Sequence, residues 1–130
     1  MTEPRLDLQG RTILVVEDEY LLASELAREL KRNGATVLGP VASVEKASAA
    51  LAERRPDGAV IDINLRSIPV FSFADELVAA KVPFVFATGY DARLLPARFL
   101  GVPCHEKPAA LGQLLSTLAR MMSRPAPASS

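Results

Sequence analysis

Short apolar runs alternate with longer amphipathic stretches along this chain. That alternation constrains the fold more than any other feature. The runs at 12–16 (TILVV), 36–38, 59–63 (AVIDI), 82–87 (VPFVFA) and 102–105 read as strands. Helical spacing fills 20–32, with Leu22, Ala23, Leu26, Ala27 and Leu30 on one face and Gly34 placed to cap its end. Further helices are expected over 44–54 with Ser43 as N-cap and Pro56 as stop, over 70–81, and over 109–122. The strands are apolar on both faces, as in a parallel sheet covered by helices on both sides. The expected fold is α/β: a doubly wound, five-stranded parallel sheet with helices on both faces. Residues 92–100 are the candidate for helix four, and Pro96 makes it short or displaced.

At 130 residues the chain is one domain, expected over 11–123, between flexible tails at 1–10 and 124–130 (RPAPASS). Such a domain buries about two-thirds of its unfolded surface, enough for one core. The 15 Lys and Arg balance the 15 Asp and Glu, which argues against bulk electrostatic binding of nucleic acid or anionic membrane. One cysteine and one histidine exclude an internal disulfide and a structural zinc site. No apolar run approaches the roughly 20 residues that span a bilayer.

In a doubly wound sheet, ligands bind at the carboxyl ends of the strands. Those ends carry Glu17-Asp18-Glu19, Asp62-Ile63-Asn64, Thr88-Gly89-Tyr90 and Glu106-Lys107-Pro108. Carboxylates gathered there repel one another, and a hard divalent cation resolves the conflict. Magnesium, or manganese in its place, takes octahedral oxygen ligands: Glu17, Asp18, Asp62 and the Asn64 carbonyl are the candidates. Thr88 and Lys107 are then placed to hold phosphoryl oxygens. The implied chemistry is phosphoryl transfer, with Asp62 as the carboxylate nucleophile. A carboxylate inside an apolar run has little structural justification. Taken singly, Glu17-Asp18-Glu19 would suit a helix N-terminus, Thr88 a turn and Lys107 a solvated surface.

These four strand-end motifs resemble the receiver domain of two-component response regulators, over about residues 11–122, which implies a flavodoxin-like fold with strand order 2-1-3-4-5. The segment PFVFATGY, residues 83–90, resembles the signature of the FAT GUY subfamily of single-domain regulators. The resemblance implies that Asp62 accepts phosphate from a histidine kinase, of HWE type, or from a phosphotransfer protein. It implies that Asp18 binds the metal directly, Glu17 through water, and Asn64 through its carbonyl. Thr88 would sense the phosphoryl group and Lys107 pair with it, next to a cis bond to Pro108. Asn64 and Tyr90 occupy positions that tune acyl-phosphate hydrolysis, and bulky Tyr90 would restrict the attacking water. Such a protein is not an enzyme beyond its own phosphorylation and dephosphorylation. It would sit in the bacterial cytoplasm and signal by protein contact, phosphorelay or phosphate sink.

Two features depart from the family pattern. Cys104 stands three residues before Lys107, where many receivers carry an aromatic switch, leaving Tyr90 and His105 as substitutes. The short stretch between Thr88 and Lys107 also leaves little chain for helix four. One competing reading is a pseudo-receiver that docks without being phosphorylated. An aspartyl phosphatase is another, but it needs an acid two residues beyond the nucleophile, where Asn64 stands. A flavodoxin-like nucleotide binder needs a phosphate-cradling loop after strand one, where three acids stand. His105 reads as structural, Cys104 as packing, Phe71, Phe73, Phe84 and Phe86 as core, and Arg54-Arg55 as a solvated helix end.

Overall fold

The computed structural model describes residues 8–65, 68–88, 95–106 and 111–123. The elements run β1 (Thr12–Val16), α1 (Tyr20–Arg32), β2 (Thr36–Val41), α2 (Val44–Glu53), β3 (Gly58–Asp62), β4 (Asn64–Leu65), β5 (Ile68–Pro69), α3 (Phe71–Ala79), β6 (Phe84–Thr88), β7 (Cys104–Glu106) and α4 (Leu111–Ser123). Among the described residues, a 3-10 turn, Ala97–Phe99, precedes β7. Five strands form one parallel sheet in the order β2-β1-β3-β6-β7, the expected order. The described helical turn between β6 and β7 is short and starts directly after Pro96, its N-cap. The rest of the stretch expected for helix four, 92–94, lies outside the described residues, as do both ends at 1–7 and 124–130.

Alternation along each central strand splits the core in two. Leu14, Val16, Ala59, Ile61, Phe84 and Phe86 face α2 and α3. Ile13, Val15, Val60, Val85 and Ala87 face α1 and α4, meeting Leu26, Leu30, Leu115 and Leu118. β1 and β3 are buried along their whole length, whereas β2 at the edge is half-exposed.

Local chemistry explains the helix ends. Ser43 caps α2 by accepting from the Lys46 N–H at 3.2 Å. Gly34 (φ 92°) closes α1 with paired bonds, Ala35 N–H to Leu30 O at 3.1 Å and Gly34 N–H to Lys31 O at 3.0 Å. α3 ends the same way on a non-glycine: Lys81 has φ 59°, Val82 N–H reaches Leu77 O and Lys81 N–H reaches Val78 O, both at 3.0 Å. This left-handed residue stops α3 short of the expected 81.

Four expectations are revised. β2 does not stop at Leu38 but continues through Gly39-Pro40 to Val41, with the register slipping by one residue against β1. An edge strand tolerates proline and a bulge. Gly39 (φ 91°) is required there, since a Cβ would lie 2.7 Å from Val41 N and 3.0 Å from Val15 O. Leu8, in the expected lead-in, is fully buried, and Gly10 N–H bonds Gly34 O at 3.1 Å. Arg54 and Arg55 are more than a solvated helix end. Arg54 donates to Thr12 Oγ1 at 3.1 Å, and Arg55 donates to the carbonyls of Ala80 and Lys81, each at 2.9 Å. The two-residue hairpin β4–β5 was not foreseen.

Candidate functional site

The carboxyl edge of the sheet brings Glu17, Asp18 and Asp62 together. One carboxylate oxygen from each lies within 4.8 Å of the others. Glu17 is 5% exposed and Asp62 4%, so two of the three acids are removed from bulk water. The backbone fixes each one. Asp62 ends β3 with its Cα paired to Ala87 of β6. Glu17 follows β1, and its N–H donates to Val41 O at 2.9 Å, a carbonyl aimed by the β2 bulge. Its carboxylate Oε2 accepts from the Glu19 N–H at 3.1 Å, at the mouth of α1. A partly positive helix N-terminus is a favourable place for that charge. The Asp62 loop is tied back by Ile63 N–H to Ala87 O at 3.3 Å and Val70 N–H to Ile63 O at 2.9 Å.

Three oxygen donors converging at this spacing fit a hard cation, magnesium or manganese, and no soft ligand stands among them. Glu17, Asp18 and Asp62 would hold it, and it would supply charge neutralisation for an incoming phosphoryl group. A groove of about 660 Å³ leads away from the acids along α1, past Tyr20, Arg28, Lys31 and Pro40.

The other sequence candidates divide. Asn64 follows the Asp62 loop in β4, its backbone paired with Pro69. Thr88 is the last residue of β6, one beyond the Ala87 that pairs with Asp62. Its backbone pairs with Glu106, the residue preceding Lys107. Tyr90, Lys107 and Pro108 lie outside the described residues. Cys104 is half-buried and packs against the aromatic side of the core. His105 Nε2 lies 3.2 Å from Thr117 Oγ1 of α4, a structural contact. Residue-by-residue reading missed Phe99. It is 1% exposed, stacks on Phe71 at 5.6 Å between centroids, and meets Phe86 edge-on at 5.7 Å. An aromatic just after Pro96 in an otherwise short connection was the only signal.

This sheet order, with acids converging at its carboxyl edge, defines a receiver-type α/β domain. No family model matches the chain. It is similar to the solved structure of SdrG from Sphingomonas melonis Fr1, with 33% identity and a TM-score of 0.75, covering 86% of this chain and 95% of that one. SdrG has also been solved in a BeF3-activated conformation. The receiver domain of the response regulator PhyR from Erythrobacter litoralis shares the fold, with a TM-score of 0.78 over 94% of this chain and 98% of that one, at 23% identity. Sensory transduction protein LytT of Bacillus subtilis is 35% identical over 88 residues, which is 65% of this chain and 36% of LytT. The chain thus spans about a third of the length of LytT. It belongs to the receiver domains of response regulators. None of the described helices is long and apolar enough to cross a membrane.

Proposed function

We propose that this domain is a phosphoacceptor that takes a phosphoryl group on Asp62 from a phosphohistidine of a histidine kinase or phosphotransfer protein. The convergence of Glu17, Asp18 and Asp62 carries the reading. An Asp62 carboxylate oxygen would form a bond to phosphorus as the imidazole N–P bond breaks. The electron pair of that bond stays on the imidazole nitrogen, which then takes a proton from solvent. A bound divalent cation would neutralise charge on the phosphoryl oxygens. Glu17 and Asp18 are the remaining ligands on this reading, with the Asn64 carbonyl. Thr88 and Lys107 are the groups for the phosphoryl oxygens, and Tyr90 would slow the water that hydrolyses the acyl phosphate. The likeness to SdrG, itself known in a BeF3-activated form, supports a domain that answers phosphorylation. Membership of the FAT GUY group and an HWE-type partner kinase belong to the same proposal.

Intact-mass analysis after incubation with acetyl phosphate and magnesium tests it, with wild type and Asp62→Asn side by side. A single phosphoryl adduct is expected that needs magnesium and is absent from Asp62→Asn. No adduct with acetyl phosphate or with a phosphohistidine donor would leave a docking module that works without phosphorylation. Cys104, in place of the aromatic switch, is the residue that favours this second reading.

A further inference from the structure

Phe99 touches two elements that lead to the acid site, α3 through Phe71 and β6 through Phe84 and Phe86. On one side it stacks on Phe71, with the ring planes 23° apart. Phe71 follows Val70, whose N–H holds Ile63 O, the carbonyl next to Asp62. On the other side Phe99 meets Phe86 at 87° and Phe84 at 72°. Phe86 lies two residues before Thr88 on β6. The start of α3, tied to the Asp62 loop through Val70, and the body of β6 therefore converge on one ring. Its neighbour Arg98 faces outward. The guanidinium donates from Nε and Nη2 to the two carboxylate oxygens of Asp75 on α3, at 2.9 and 3.0 Å. It also lies 4.6 Å from the centroid of the Phe99 ring. Leu100, one residue further, is 65% exposed. A two-toothed exposed ion pair over a buried aromatic plug forms a contact that a small shift beneath it can open.

We propose that Phe99 is the residue through which the state of the acid site reaches the outer surface, and that the Arg98–Asp75 pair latches its turn against α3. Phe99 is a positioning residue: it moves the Ala97–Phe99 turn and Leu100 when the Asp62 loop and β6 rearrange. The inference rests on Asp62 being the phosphoacceptor.

Hydrogen exchange and amide shifts followed by NMR test it, with magnesium and beryllium fluoride as the probe. The amides of Phe99, Leu100 and Val102, bonded to Pro96, Ala97 and Phe99 carbonyls, report the turn. The Ile63 amide, bonded to Ala87 O, reports the Asp62 loop. In wild type the probe should shift Ile63 and change exchange at the three turn amides by about threefold or more. In Phe99→Leu the Ile63 response should persist while the turn response disappears. Arg98→Gln, an exposed change that leaves every buried side chain in place, should speed turn exchange about threefold without probe and leave the Ile63 response intact. Asp62→Asn should abolish both responses. An Ile63 shift with unchanged turn amides in wild type overturns this inference alone, as does a full turn response in Phe99→Leu. Absence of any Ile63 response together with absence of a phosphoryl adduct defeats the phosphoacceptor reading, and this inference with it.

Discussion

The two faces of the sheet are packed from different materials. The face against α1 and α4 is aliphatic, built on Leu26, Leu30, Leu114, Leu115, Leu118 and Met122. The face against α2 and α3 carries the phenylalanines, with Phe73, Phe84, Phe86 and Phe99 buried and Phe71 packed beside them. Branched aliphatic side chains interdigitate and leave few alternatives. Flat rings that meet edge-on and stacked can slide at modest cost, because ring–ring geometry has several favourable arrangements. The helix ends follow the same division. α1 closes on Gly34, whose positive φ is free of strain, whereas α3 closes on Lys81 in the same left-handed region with a Cβ to accommodate. On the proposal made for Phe99, the aliphatic face is the fixed wall and the aromatic face is the one that responds.

The strongest way to break this contrast is to empty each face in turn. Phe86→Ala should cost about 4 kcal/mol and Leu118→Ala about 3 kcal/mol, read from urea unfolding midpoints at unchanged slope. Only Phe86→Ala should also disturb exchange at the Ala97–Phe99 turn under native conditions. Equal disturbance from Leu118→Ala would erase the distinction between the faces. A smaller effect is expected at the helix ends. Gly34→Ala should destabilise by about 1–2 kcal/mol, since φ 92° disfavours a side chain. The new Cβ would also lie 3.0 Å from Gln9 Cα. Lys81→Gly should stabilise by about 0.5–1 kcal/mol, read as a rise in Tm. Loss of stability in Lys81→Gly would mean that α3 carries no strain at its end.

The smallest effect concerns pH. The hydrogen bonds from Arg98 hold the Asp75 carboxyl below its ordinary value of 3.8 and raise Arg98 in turn. A carboxyl depressed in the folded state adds stability above its unfolded pKa, and that stability is lost as pH falls through the folded pKa. The stability difference between wild type and Asp75→Asn should therefore be present at neutral pH and fade below 3.8. A difference that stays constant down to about pH 2 would show that the ion pair contributes nothing.

Much of this molecule was legible from its residues. The doubly wound parallel sheet followed from the alternation of runs, its strand order from the resemblance to receivers, and the acid cluster from carboxylates at the ends of apolar strands. Asp62 is visible because a charge at the end of AVID is out of place in a buried strand. Gly34 announced its cap, and Ser43 its own. The bulge in β2 was hidden because Gly39-Pro40 reads locally as a turn, and only its edge position lets a strand pass through it. Lys81 was hidden because a left-handed lysine has no sequence signature. Its conformation accompanies the grip of Arg55 on the carbonyls of Ala80 and Lys81. Phe99 was hidden because its ring partners come from two other elements, α3 and β6, and no spacing along the chain links 71, 86 and 99.

At the opposite edge of the sheet, the Arg11 guanidinium donates to the Met122 carbonyl at 3.3 Å, and Met122 Sδ would lie 2.8 Å from a Cβ on Gly58. The start of β1 and the end of α4 are therefore neighbours. For protein engineering, this means that a linker from the end of α4 that keeps the buried Leu8 ahead of β1 can join the two ends, and the chain can be reopened elsewhere with its topology intact. A fluorophore or reporter grafted at that seam would sit across the full length of the strands from the carboxylates. It could follow the domain in a living cell without standing in the way of whatever approaches Asp62.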